Sequence, residues 1–448
     1  MSKTVCPIGS VTKSFTATAI GEMVAEGKLD WDTTPVSKYL PEFELKDPLL
    51  TSQLTFVDLL SHRSDLGRKA DMAFFRSLES RIETIKRLKH AEFKSKLGSK
   101  MNYSNAMYTV AGEASARMAG ISYEDVVREK VIKPLGLDNT GFSQTEMRDR
   151  FPNHAMPFSM ASFEDAQNGD YKAEELEEVY MTLAPAGDMY STVVDLVKWG
   201  RTVIKGGELD GKQVLNKESI QETLKPQTII KGSRRGPEFP PMINYGLGWM
   251  IDSYKGRAVY KHTGNHPSHF SCRLIMFPDD DLVIAQLYNH VYNVLGNHIQ
   301  FYVADEILDL PRTHLWMSDE AVEETKAFYT DLAKQTSGER KIPKRIPNQP
   351  PVHPLEAYTG NYSHPLYGEL SVRLDLGEGE DKRERLFLCR RGSCDAMEHL
   401  HFELFVTQFA DVTGVFKALV TFRTDADGKV GSVVLDAIDP WELTKDEK

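Results

Sequence analysis

Pro7-Ile8-Gly9-Ser10-Val11-Thr12-Lys13-Ser14-Phe15-Thr16-Ala17 stands almost at the start of the chain. It reads as a turn running into a helix. Gly9 and Ser10 are loop and helix-start residues, and from Phe15 the apolar Ile20, Met23 and Val24 recur at helical spacing, up to a glycine stop at Gly27-Lys28. Ser10 and Lys13 are three residues apart and share a helix face, so the amine can reach the hydroxyl. A serine hydroxyl is a poor nucleophile until a base takes its proton, and a desolvated lysine can be that base. The first helical turn also presents backbone N–H groups and a positive dipole end, suited to an oxyanion. Taken alone, Ser-x-x-Lys is a weak signal, and an isolated match reads as an N-cap serine followed by a surface lysine.

Two further stretches lift it. Met101-Asn102-Tyr103-Ser104-Asn105 supplies a phenol, a hydroxyl and an amide within three residues. Lys261-His262-Thr263-Gly264-Asn265 puts a cation, a hydroxyl and a glycine at a strand end. In this order the three resemble the motif set of the serine β-lactamase and penicillin-binding-protein superfamily. The Tyr-x-Asn form is most similar to the class C β-lactamase, esterase and D-aminopeptidase branch. Leu59-Leu60-Ser61-His62-Arg63-Ser64, Pro185-Ala186-Gly187 and Tyr245-Gly246-Leu247-Gly248-Trp249 agree with it, and the resemblance runs from residue 7 to about residue 310.

The resemblance implies an α+β fold: a β-lactamase/transpeptidase-like catalytic domain, an antiparallel sheet with an α-helical subdomain, over residues 1–312. Residues 313–350 read as an amphipathic helix from Ser318 to Ala333 and a basic, proline-rich linker. Residues 351–448 are strand-rich, with an Asp427-Gly428 hairpin turn, and resemble the small all-β, lipocalin-like domain that follows the catalytic domain in some members. Its expected task is to cap the site or add stability. The nine residues ahead of Ser10 are fewer than the family carries there. The missing ones would form two strands beside Leu282–Tyr288, so the resemblance implies a truncated amino end and an exposed apolar edge on that strand.

Charge and composition narrow the function. Of 448 residues, 41% are hydrophobic and 27% charged, which is ordinary for a soluble globular protein. The formal net charge of −11 argues against a nucleic-acid partner. No apolar run is long enough to span a bilayer, and the first residues do not read as a secretory signal, so a cytoplasmic protein without a membrane partner is expected. Cys6, Cys272, Cys389 and Cys394 are too scattered for a disulfide framework. Cys389 and Cys394 could pair in an oxidising compartment, but without a signal sequence all four are expected reduced. His262, His266 and His269 lack an accompanying ligand motif, and Asp279-Asp280-Asp281 is a turn, so neither a metal nor a cofactor is expected.

By resemblance, Ser10 attacks a carbonyl carbon to form an acyl-enzyme, and Lys13 and Tyr103 share the proton shuttle. Asn105 holds Lys13 and the substrate amide. His262, Thr263, Gly264 and Asn265 line the substrate, and the N–H groups of Ser10 and Asn265 form the oxyanion hole. A protonated His262 beside Lys13 would lower the Tyr103 phenol. His262 stands where penicillin-recognising members carry a lysine, which shifts the expected substrate from β-lactams to a small ester, amide or peptide. An acyltransferase through the same acyl-enzyme is the alternative, and an inactive scaffold or binding protein the rival from another class. A homo-oligomer is compatible with either.

Other residues read structurally. His62 is a turn histidine rather than a catalytic one. Thr55 and Asp195 support helix starts, and Asp188 brings a carboxylate to the pocket floor. Phe74, Phe75 and Arg76 are candidates for the pocket mouth.

Overall fold

The structure is a computed structural model. It describes residues 2–446 except 75–76, 78, 93–97, 99–100, 160–167, 177–180, 232–241, 291–295, 312–315, 322, 324–326, 328–341, 377–382, 392, 412–413 and 437–439. The chain divides into two compact units, Met1–Glu323 and Glu324–Lys448.

In the first unit the segment before Ser10 is strand β1, Cys6–Pro7, followed by helix α1, Thr12–Ala25. Eleven of the fourteen α1 residues are buried. Phe15 stacks on Trp199 with ring centroids 4.5 Å apart, and Thr16 donates to the Pro185 carbonyl. The helix has no wet face, which is why its apolar pattern shows only part of its burial. Around it stand α2 (Phe56–Leu60), α3 (Gly67–Phe74) and α4 (Asn105–Ala119). Thr55 begins α2 as expected: the Asp58 carboxylate accepts from its backbone N–H and its hydroxyl at 3.0 and 2.8 Å. Ser104 caps α4, and Gly120 closes it in the left-handed region at φ 71°. Helix α5, Val193–Ile204, is capped by Thr192, whose hydroxyl accepts from the Asp195 N–H, and the Asp195 carboxylate accepts from Asn139 and Thr140.

The expected antiparallel sheet is present. Its described strands run in the order Leu282–Tyr288, Phe270–Phe277, Arg257–His266, Met250–Tyr254, Met242–Tyr245 and Thr228–Lys231. Every residue of Phe270–Phe277 is buried, because helices cover both faces. Ile275 and Phe277 pack with Tyr254, Val259, Phe301 and Ala304 on one face, Phe301 and Ala304 coming from the helix Gly296–Ile307. Strand β1 pairs with Met189–Ser191, Cys6 opposite Ser191, which ties the start of the chain to the loop after Pro185.

The second unit contains a closed barrel of eight antiparallel strands between Gly360 and Lys445. Its centre is filled with aromatic rings: Phe422 lies 4.7 Å from Tyr358 and 5.6 Å from Phe405 between centroids. This is the lipocalin-like all-β domain that the resemblance implied.

Two expectations need correcting. Cys389 and Cys394 are not reduced but joined in a disulfide. They are direct cross-strand partners in the hairpin Glu384–Arg390/Ser393–His401, and that register brings the two thiols together. Cys6 and Cys272 are buried free thiols. Phe74 is fully buried rather than at a pocket mouth, while Phe75 and Arg76 lie outside the described residues. Most of the helix expected from Ser318 also lies outside the described residues. Among the described residues no helix is long and apolar enough to cross a membrane.

Candidate active site

Ser10 sits in the tight turn Gly9–Val11 between β1 and α1 and is partly exposed. Backbone on both sides fixes the turn. The Ile8 N–H donates to the Met189 carbonyl at 2.9 Å, and a Cβ on Gly9, at φ +51°, would stand 2.6 Å from the Asn265 carbonyl oxygen. A Cβ on Gly264 would lie 1.9 Å from the Ile8 oxygen and 3.0 Å from the Ser10 nitrogen. Only residues without a Cβ let the strand Arg257–His266 and the serine turn come this close. The Ser10 and Asn265 backbones are thereby side by side, at the edge where an oxyanion would need donors.

Lys13 is fully buried, one helical turn on. Its Nζ has three acceptors: Ser10 Oγ at 3.1 Å, Asn105 Oδ1 at 2.7 Å and the Ala186 carbonyl at 2.8 Å. An ammonium fills all three with its protons. A neutral amine keeps two protons for Asn105 and Ala186 and turns its lone pair to the Ser10 hydroxyl. Burial lowers the Lys13 ammonium to about 7, against the opposing pull of Asp71, so both forms exist near neutrality. The Tyr103 ring lies beneath the same nitrogen, 4.8 Å from it, and Tyr108 at 5.3 Å.

His262 is not the second cation that would lower the Tyr103 phenol. It faces this cluster from the strand, but burial first, and then the Lys13 charge, lowers it to about 3. Its Nδ1 lies 2.6 Å from the Thr263 carbonyl and its Nε2 2.9 Å from the Tyr245 hydroxyl. It is a neutral ring and not a second cation. Nor does Lys261 supply one: it pairs with Asp252 at 2.5 Å beside Phe301. Strand alternation places Thr263 opposite Arg273, on the face away from His262 and Gly264, and Asn265 is exposed at the strand end.

His62 takes its expected structural part. Its Nδ1 accepts from the Ser104 N–H at 3.1 Å, and its ring lies 4.2 Å from that of Tyr103. Burial drives it well below its ordinary value, so it too is neutral. Asp188 is buried, accepting from Gln144 at 3.1 Å. Ser10, Lys13, Tyr103, Asn105 and His262 are therefore gathered in one cluster, with Gly264 and Asn265 against its serine turn.

Sequence reasoning missed two members. Tyr245 stood in a stretch quoted for resemblance alone. Asp71, wholly buried on α3, accepts from Asn105 Nδ2 at 3.0 Å and from the Ala106 N–H at 2.7 Å. Nothing near it in sequence announces a partner 34 residues on. Among the described residues no group of His, Cys, Asp and Glu could hold a metal ion.

The β-lactamase family profile matches residues 2–308, and a domain family of unknown function, DUF3471, matches 344–448. Unguisins hydrolase ungD' of Aspergillus campestris is 26% identical over 86% of this chain and 70% of its own. The octameric penicillin-binding protein homologue from Pyrococcus abyssi is similar in structure, with a TM-score of 0.56 at 20% identity, over 99% of this chain and 88% of that one. A D-stereospecific amidohydrolase from Streptomyces sp. matches 64% of this chain and 82% of its own, with a TM-score of 0.50 at 24% identity.

Proposed function

This chain belongs to the β-lactamase family, a family of serine hydrolases, and on that premise we propose that it cleaves a small ester, amide or peptide through an acyl-Ser10 intermediate. The observation that carries the proposal is the 3.1 Å contact between Lys13 Nζ and Ser10 Oγ, with the lysine lowered to about 7. A general base works best with a pKa near the operating pH.

The proposed steps use the donors and acceptors of this cluster. Neutral Lys13 takes the Ser10 proton as Oγ bonds to the carbonyl carbon, and the oxygen of the tetrahedral adduct accepts from the Ser10 and Asn265 N–H groups. The new ammonium is held by Asn105 Oδ1 and the Ala186 carbonyl, and returns its proton through Tyr103 to the departing alcohol or amine. Water then enters by the reverse path and frees the acid. With His262 neutral, no cation at that position selects a substrate carboxylate. Uncharged acyl groups are therefore favoured.

The test is intact mass after exposure to a fluorophosphonate. One adduct on the wild type, absent from Ser10→Ala, supports the reading. Soluble, folded protein that takes no adduct would overturn it in favour of a binding protein.

A further inference from the structure

We propose that Asp71 is a positioning residue for the acylation step: by accepting from Asn105 Nδ2 it fixes which end of that amide meets Lys13, and so holds the lysine's protonation balance. The proposal rests on the reading of Ser10 and Lys13 given above.

The argument begins with what a carboxylate can do. It accepts and does not donate. One Asp71 oxygen takes the Ala106 N–H at 2.7 Å and lies 3.3 Å from the Ser104 hydroxyl. The other takes Asn105 Nδ2 at 3.0 Å. An acceptor on that side leaves the Asn105 amide one orientation, Nδ2 towards Asp71 and Oδ1 towards Lys13. At the far end the lysine nitrogen, 2.7 Å from Oδ1, must donate. The chain of contacts is directional: carboxylate, amide, amine. Asp71 also lies at the first turn of α4, where a negative charge is favoured, so the same carboxylate anchors the whole Tyr103–Asn105 corner.

The other titratable groups around Lys13 leave this part to Asp71. Tyr103 and Tyr108, with ring centroids 4.8 and 5.3 Å from Nζ, bring no carboxylate to Asn105, and Tyr245 hydrogen-bonds His262. His62 and His262 are neutral and buried. Asp188, on the loop that supplies the Ala186 carbonyl, engages Gln144. Asp71 is the anion acting on Lys13, and burial pushes its own carboxyl up to about 6, leaving it ionised at neutral pH.

Asp71→Asn separates this part from simple helix capping. The amide oxygen still serves Ala106 and Ser104, so the cap survives. Its NH2 then faces Asn105 Nδ2, donor against donor. If Asn105 flips to relieve this, its NH2 turns to Lys13, which is tolerated only when the lysine is a neutral amine. Loss of the negative charge acts in the same sense. The acid limb of the fluorophosphonate labelling rate against pH is therefore expected to move down by about one pH unit. The swap Asp71→Asn/Asn105→Asp restores donor to acceptor at both contacts and puts the charge next to Lys13, so its limb should move up, past the wild type. Titration of Lys13 by NMR of 13C-lysine protein in a Ser10→Ala background reads the same shifts without catalysis and shares none of its failure modes. A limb and a Lys13 titration unmoved in both variants would overturn the proposal and leave Asp71 a cap. Wild-type protein that is never labelled, with Lys13 still shifting as stated, would overturn the hydrolase reading and retain the coupling. Should Asp71→Asn not fold, the swap and Asp71→Glu are read by NMR against the same criterion.

Discussion

The Tyr245 hydroxyl lies 2.9 Å from Nε2 of His262, while Nδ1 of the same ring lies 2.6 Å from the Thr263 carbonyl. A carbonyl only accepts, so Nδ1 carries the ring proton and Nε2 takes the proton of Tyr245. Both nitrogens are engaged inside the protein, and the ring has no charge to offer a ligand. Acyl donors without a carboxylate should be cleaved faster than matched donors that carry one beside the scissile bond. His262→Lys should narrow the difference by roughly tenfold, the worth of one hydrogen bond to a charged group. Paired esters, one neutral and one anionic, measure it, and a wild-type preference for the anionic ester would contradict the argument.

The proposed acylation needs the neutral form of Lys13, which burial lowers to about 7. The labelling rate should rise with pH through that value and level off above it. Lys13→Met should lose roughly 10²–10⁴-fold, the usual contribution of a general base. Lys13→Arg should be as slow and without the limb, because a guanidinium does not give up its proton in this range. A wild-type rate in the arginine variant would exclude Lys13 as the base.

Gly264→Ala tests how tightly the strand grips the Ser10 turn. The added methyl would lie 1.9 Å from the Ile8 carbonyl oxygen, so either the strand or the serine turn has to move. Overpacking of this kind typically costs about 1–3 kcal/mol of stability, and a displacement near 1 Å costs about a hundredfold in rate. Urea unfolding and labelling of the same sample read both, and unchanged labelling would show that the gap between strand and turn is slack.

Stability should depend on pH through the buried histidines. His262 binds a proton only near pH 3 when folded but near 6.5 when free, and His62 is shifted in the same direction. Below 6.5 the unfolded chain gains protons that the folded one refuses, so stability falls with pH at about 1.4 kcal/mol per pH unit for each ring. Asp71, raised to about 6, has the opposite sign and offsets part of the fall from there downwards. His262→Gln should remove one histidine's share of the slope between pH 7 and 6. An identical slope in that variant would mean the ring titrates normally.

Much of this was legible in the chain itself. The Ser10–Lys13 helix and its stop at Gly27 follow from local periodicity and turn residues, the antiparallel sheet and the final all-β domain from the family resemblance, and the folded chain has them. What was not legible depends on which groups face one another. The neutral charge of His262 is set by its burial and by Lys13, a residue on a distant helix, and the Cys389–Cys394 bond by a hairpin register. Asp71 owes its place to the packing of α3 against α4, and no spacing rule spans that distance.

The burial of α1 has one more consequence. Amides along Phe15–Met23 have no solvent-facing side from which to open locally, so their hydrogen exchange should wait for the first unit to unfold as a whole. Ser10 and Lys13 at the head of that helix share this all-or-none behaviour. Loss of labelling during heating would then count unfolded molecules directly, with no population of folded but disarmed ones in between.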